Sequence, residues 1–526
     1  MSDVVSPKAA LSRRGFLAGT AGGVVAVALN GCGRSSVTGN AVRSSAPKHG
    51  GMAVITAGND IAPPLIFSVN GNNLNFNRLV YNTLTDLDHR TLKPLPSLAT
   101  KWTLSPDRRT YTLQLRDDVV YHSGRPFGPQ DVIAAVGILK DPAHSTQFRR
   151  TAAVISDVSA SGPHEVKLQL SHPINNLFDL FENMYITDHE TVSEALAGKA
   201  FIGTGPFKFK SFTPQVATEV VKNPHYWKTG RPYLDGVKLM TIANANAVVS
   251  SLKSRQTNIT MAVATSALPE FDHNPSFRVT QVDTNADSSF IGINTAVPPL
   301  NKKEVRQAIA YALDRTQMFK QAFRGTGQNT DLSWPQNSPA YQPDLVTHYE
   351  QNLQKARSLL QQAGVGGFQT EIAESFQNDP VALIAQANLR QIGIDAKIRT
   401  YVGGAQFFQK LVAGTFAGMF SNGHLFGNLQ PSTLLNSALP YNAAHNSSNF
   451  NDPTYKELAQ QIWSLPPGPQ LQSAYRAITT LLLDEAFVLE INTGGDNYVT
   501  SNNFQGWKVN MFDYMNLDDA YLGDPG

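Results

Sequence analysis

Apolar and polar positions repeat along this chain with two periods, and the period changes from segment to segment. Tyr111, Leu113 and Leu115 alternate with polar neighbours, as do Val166, Leu168 and Leu170, so both runs predict half-buried strands. Val132, Ile133, Val136 and Leu139 follow helical spacing just after Pro129. Residues 302–323 predict one helix, with Asn301 as N-cap, Glu304 in the first turn, and Val305, Ala308, Ile309, Ala312 and Leu313 on one face. Arg306 and Asp314 fall eight positions apart on that helix, as structural polar contacts. Another helix is predicted from Pro380, capped by Asp379, to Ile392, stopping at Gly393. Leu353, Ala356, Leu359, Leu360 and Ala363 form a third stripe, and two more cover 453–464 and 471–485. These stripes are read as core-facing. Strands and helices interleave from residue 51 onward, which predicts an α/β chain.

Length turns this pattern into several lobes: 526 residues is about three times a typical domain. No period of 20–50 residues recurs, so a solenoid or propeller is excluded. Hydrophobic residues make up 41% and charged residues 16%, enough for large cores. Lys+Arg is 43 against 41 Asp+Glu, and so balanced a chain is not built to bind nucleic acid.

The single cysteine, Cys32, rules out an intramolecular disulfide and cysteine-rich zinc sites, and its position is informative. Lys8, Arg13 and Arg14 precede a short apolar run, Phe16 to Leu29, diluted by glycine and ending in Leu29-Asn30-Gly31-Cys32. The run is too short for a comfortable membrane helix. It resembles a twin-arginine export signal ending in a lipobox, although Asn30 replaces the usual small residue there. That resemblance implies a signal peptide over 1–31, lipidation of Cys32, and a flexible tether over 32–50 rich in Ser and Gly.

Catalytic patterns are few. The sequence contains no Gly-x-Ser-x-Gly, no HExxH and no P-loop. Ser250-Ser251-Leu252-Lys253 and Lys228-Thr229-Gly230 match penicillin-recognising triplets, but in reversed order. The twelve histidines never pair at i,i+4, and no cofactor or metal is expected. Residues 396–451 stand out. They include no Asp or Glu, yet carry Tyr401, Phe407, Phe408, Phe416, Phe420, Phe426, Tyr441 and Phe450. This stretch is either an apolar core with amide-rich loops or one wall of a ligand cleft. As a cleft wall, its candidate residues are Phe407, Phe416, Asn422, His424, Phe426, Asn428, Gln430 and His445.

Five blocks in series carry a family resemblance. The first runs from Leu98-Ala99-Thr100-Lys101-Trp102 through Leu115-Arg116-Asp117-Asp118-Val119 and His122-Ser123-Gly124-Arg125-Pro126-Phe127 to Gln130-Asp131-Val132. Next come Gly203-Thr204-Gly205-Pro206-Phe207 with Asn223-Pro224-His225-Tyr226-Trp227, and then Arg231-Pro232-Tyr233-Leu234-Asp235. The last two are Ile293-Asn294-Thr295 through Asp314-Arg315, and Leu389-Arg390-Gln391-Ile392-Gly393-Ile394. Together they resemble the family 5 extracellular solute-binding proteins of ABC importers, the dipeptide, oligopeptide and nickel-binding group. The resemblance implies an α/β two-lobed periplasmic-binding-protein clamshell (type II) with an additional subdomain in lobe I. Lobe I would span 51–290, lobe II 291–496, and 497–526 would return to lobe I. Hinge residues would be Ile293, Asn294, Asn492 and Thr493. The implied protein is a non-enzymatic monomer, exported and lipid-anchored at the outer face of the cytoplasmic membrane. It would capture a solute between its lobes and deliver it to ABC permease subunits.

A peptide is the first expectation for the ligand. Alternatives are a neutral sugar-like solute or a metal chelate contacted by His424 or His445. A sensor or assembly role on the same fold, or a secreted hydrolase, is the other class. Peptide-binding members commonly pair the peptide's amine with a lobe II aspartate, and Ser421 to Pro431, the corresponding region, contains no acid. Binding is therefore expected not to depend on a free amine.

Overall fold

Strand Met52–Ala57 runs parallel to both Gly236–Thr241 and Ile259–Thr260, and from there a seven-stranded sheet builds outward. One edge is the antiparallel run Gly236–Thr241, Ala217–Lys222 and Phe207–Thr213; the other is Asn497–Ser501 and Phe277–Gln281. The computed structural model describes residues 46–524 apart from 70, 261, 262, 264, 283, 376 and 402–404. Arg13, Arg14 and Cys32 lie outside the described residues. Among those described, no helix is long and apolar enough to cross a membrane.

A second, six-stranded sheet has the order Gln328–Asn329, Val488–Gly494, Asp287–Ile293, Met419–His424, Phe368–Glu374 and Ile394–Thr400. Helices Lys303–Ala312, Leu353–Gln362 and Pro380–Arg390 cover it with a core of Ile291, Ile293, Val305, Ile309, Leu389 and Ile394. Every residue of Val488–Gly494 is buried, as a strand covered on both faces must be. Between the first two strands of the first sheet lies a four-stranded antiparallel sheet, Ala99–Leu104, Thr110–Leu115, Glu165–Leu170 and Ile155–Gly162. In its two central strands, Thr110–Leu115 and Glu165–Leu170, burial alternates as the sequence pattern predicts.

The helix expected over 302–323 is two helices, Lys303–Ala312 and Arg315–Gln321. Asp314 causes the break, leaving the helical conformation and accepting the N–H of Gln317 at 2.8 Å to cap the second helix. Lys302, not Asn301, holds the N-cap position of the first. The helix at 380 matches its expected start, with the Asp379 side chain accepting from Val381 N.

Two crossings join the sheets, one between Gln281 and Asp287 and one at 495–496. The lobe boundary expected at 290/291 falls inside a strand, because Asp287 already pairs with Gly494 and Ser288 with His424 in the second sheet. The tail after 501 returns to the first sheet: Lys228 pairs with Asp518 at 2.6 Å, and Met515 N donates to Asn75 Oδ1 at 3.0 Å.

Candidate functional site

Where the chain crosses between sheets, backbones approach too closely for bulky side chains. Gly427 N donates to Ala286 O at 3.2 Å, and a Cβ at 427 would lie 2.2 Å from Asn285 O. The loop following strand Met419–His424 is thus seated on the first crossing, and only glycine fits there. An acid at that point would collide with the backbone.

The residues singled out from 396–451 do not converge on one site. Phe407 and Phe416 are core: both are buried, their rings are 4.9 Å apart, and Phe416 stacks on Phe420 at 4.6 Å. His424, Phe426 and Asn428 come together in the loop at the crossing. His424 is spent on a buried network, with Nε2 3.3 Å from Glu490 Oε1 and Nδ1 accepting from Phe426 N at 3.2 Å. Tyr441 Oη donates to the same Glu490 oxygen at 2.5 Å and accepts from Ser333 Oγ at 2.9 Å. Burial, then the Glu490 charge, holds the Tyr441 hydroxyl well above the usual phenol range. Asn422 sits half-buried in the strand opposite Phe290. His445 is exposed, with Nε2 3.2 Å from Val412 O. Among the described residues no three His, Cys, Asp or Glu are placed to hold a metal ion.

Asn428 and Gln430 hold the lobes against each other. Asn428 donates to Met511 O at 3.2 Å and accepts from Asn337 Nδ2 at 3.0 Å, while Asn337 Nδ2 also donates to His89 O. The N–H of Gln430 donates to Asp179 Oδ2 at 2.8 Å, and Thr433 Oγ1 donates to the same oxygen. Helices Pro431–Ser437 and Pro453–Ser464 therefore rest on the four-stranded subdomain, where Trp463 Nε1 donates to Asn176 Oδ1 at 2.8 Å. Burial pushes the Asp179 carboxyl up to about 7, against those hydrogen bonds.

Ile293 and Asn294, expected at the first crossing, lie at the far end of strand Asp287–Ile293. Asn294 Nδ2 is used there on Phe416 O at 2.6 Å. The link between the sheets lies before them, between Gln281 and Asp287, because pairing in the second sheet begins at Asp287. Asn492 and Thr493 end the strand that enters the second crossing.

Sequence reasoning missed the acids. Asp287 and Asp496, on the two crossings, line a cavity of about 210 Å³ between the sheets, together with Asn492, Ser289 and Phe323. Burial foremost, with Asp496 and Glu490 nearby, raises the Asp287 carboxyl; burial raises Asp496 as well. Asp496 N donates to Asp513 Oδ2 at 3.1 Å, fixing the second crossing to the C-terminal tail. The residues 396–451 contribute no acid, as their composition dictates; the charge enters from the start of one strand and from a crossing 209 positions further on. The one sequence signal beside them was Asn492-Thr493-Gly494-Gly495, expected as a hinge segment.

Two sheets joined by two adjacent crossings, with a polar cavity between them, define a clamshell solute-binding protein. The profile of the bacterial extracellular solute-binding proteins, family 5 (middle region), matches residues 93–446, and the chain belongs to that family. A probable di/tripeptide-binding protein 5 of Pseudomonas aeruginosa is 25% identical over 468 residues, covering 82% of this chain and 88% of that protein. The structure of DppA from Helicobacter pylori with the peptide STSA superposes with a TM-score of 0.80 at 22% identity, covering 91% of this chain and 99% of that one. AgaA of A. tumefaciens R10 with agropinic acid superposes at 0.79 and 23% identity, covering 90% and 99%.

Proposed function

We propose that this protein is the capture component of an ABC importer, taking up a peptide or peptide-like solute between its lobes and presenting it to a membrane permease. The observation that carries this reading is the pair of crossings around a polar cavity, which lets the two sheets rotate about one line and favours the closed state when a ligand touches both. Membership of the solute-binding family supports it, and so do the names of the relatives, which are peptide-binding proteins. The protein works as a monomer and carries out no chemistry on its ligand.

Cys32 is the lipid attachment point, and residues 33–50 are the tether that leaves the lobes free at the outer face of the membrane. Arg13 and Arg14 route the chain for export. The lone cysteine at the end of the apolar run supports this anchoring.

Native mass spectrometry of protein purified from its source tests the capture role. A retained peptide, released on denaturation, is the expected result. A retained sugar or metal chelate would replace the peptide, and a labelled solute returned cleaved would show an enzyme.

A further inference from the structure

The cavity between the sheets holds acids and no base. Asp287 opens the strand leaving the first crossing and Asp496 lies within the second, so each crossing contributes one carboxylate. No lysine, arginine or histidine is among the lining residues. Both carboxyls are held above the usual range, Asp287 by burial and by its acidic neighbours, Asp496 by burial. Buried acids elsewhere in this chain have cations, as Asp331 has Arg315 at 2.7 Å, or donors, as Asp179 has Gln430 and Thr433. Among the described residues lining the cavity, no cation offsets the pair.

A separate feature points the same way. Asn492 lines this cavity, is 7% exposed, and its Oδ1 has no hydrogen-bond partner among the described residues. The loop opposite packs closely on this side chain: a Cβ on Gly327 would lie 2.5 Å from Thr493 O, 2.7 Å from Asn492 Nδ2 and 3.0 Å from its Oδ1. An unpaired buried acceptor is costly unless something donates to it. Phe323 adds an aromatic wall, which favours a cation further.

We propose that this cavity is the subsite for a cationic group of the ligand, an ammonium or a guanidinium, bridged between Asp287 and Asp496 and donating to Asn492 Oδ1. The assignment rests on the capture reading above and deepens it. A cavity of about 210 Å³ has room for either head group. A bound cation relieves the repulsion between the acids and ties the second sheet, through Asp287, to the crossing that leads back to the first. Charge recognition and lobe closure then become one event. It also reverses the expectation that a free amine is irrelevant, which considered only the acid-free stretch 396–451.

The test is calorimetric and thermal-shift titration of the full chain with n-butylammonium, methylguanidinium and, as an uncharged control, n-butanol. At least one cation saturates and stabilises the protein while butanol does not. Asp287→Asn and Asp496→Asn weaken that cation by about tenfold or more. Unliganded Asp287→Asn melts no lower than the parent, since it loses a carboxylate repelled by Asp496 and Glu490, so weaker binding is not misfolding. Absence of saturation, an equal response to sodium, or unchanged affinity in both variants would overturn the subsite. Trialanine, N-acetyl-trialanine and N-acetylated Ala-Arg-Ala then identify the source of the charge. Preference for the first assigns the terminal amine, and preference for the third assigns the guanidinium. Equal binding of all three, insensitive to Asp287→Asn, sinks the subsite and leaves peptide capture standing. Small cations that bind where no peptide does keep the subsite and remove the peptide reading.

Discussion

Tyr441 donates its hydroxyl to Glu490 across 49 positions of sequence, and through that contact the aromatic segment after the crossing loop is fastened to the fully buried strand Val488–Gly494. The Glu490 oxygen also faces His424, while its other oxygen, Oε2, has no hydrogen-bond partner among the described residues. Tyr441 is therefore the donor this carboxylate depends on. Tyr441→Phe keeps the ring and removes the donor, so it should cost about 1–3 kcal/mol. Urea unfolding monitored by tryptophan fluorescence measures this; an unchanged midpoint would show that His424 or water satisfies the acid.

The contact between the subdomain and helix Pro431–Ser437 should depend on pH. Asp179 has its carboxyl raised to about 7 by burial. A raised acid means the folded state binds the proton more tightly than the unfolded one, so its contribution is complete below the usual carboxylate range and is lost as pH rises through about 7. Asp179→Asn keeps an acceptor for Gln430 N and Thr433 Oγ1 but no longer titrates. Melting temperatures between pH 4 and pH 8 should fall less steeply in this variant. Parallel curves would remove Asp179 from the account.

At Gly427 the expected effect is steric. A methyl group there would lie 2.2 Å from Asn285 O, and the neighbour is backbone. Gly427→Ala should cost about 1–3 kcal/mol and displace the first crossing, weakening ligand closure as well. Denaturation together with small-angle scattering of free and liganded protein would detect both effects. A variant of parental stability would mean the loop lifts off freely.

Anchoring is tested by fractionation. The lipid proposed on Cys32 predicts that Cys32→Ser moves the protein from the membrane to the soluble fraction. Persistence in washed membranes would point to another anchor.

Export is tested separately. Replacing both Arg13 and Arg14 by lysine keeps the charge and removes the pair, so precursor should accumulate inside the cell if the twin-arginine route reads it. Normal export would assign the general secretory route.

Periodicity settled the local structure because burial of one face is a local demand. The strands at Thr110–Leu115 and Glu165–Leu170, and the helices at 353, 380, 453 and 469, appear where spacing places them. The break at Asp314 was the local exception, a capping side chain inside an otherwise continuous apolar stripe. Five ordered blocks carried the family, and with it the two lobes. The cleft was not legible in the same way. Aromatic composition drew attention to 396–451, yet Phe407, on helix Ala405–Ala413, and Phe416, in the loop before strand Met419–His424, went to the core, because composition does not reveal whether a side chain turns inward or toward a cleft. The carboxylates that define the cavity come from Asp287 and Asp496, which neither neighbour each other in sequence nor share a motif. Hydrophobic period is written along the chain; the convergence of two crossings is a property of sheet pairing between distant strands, and only the tertiary structure brings those acids into one cavity.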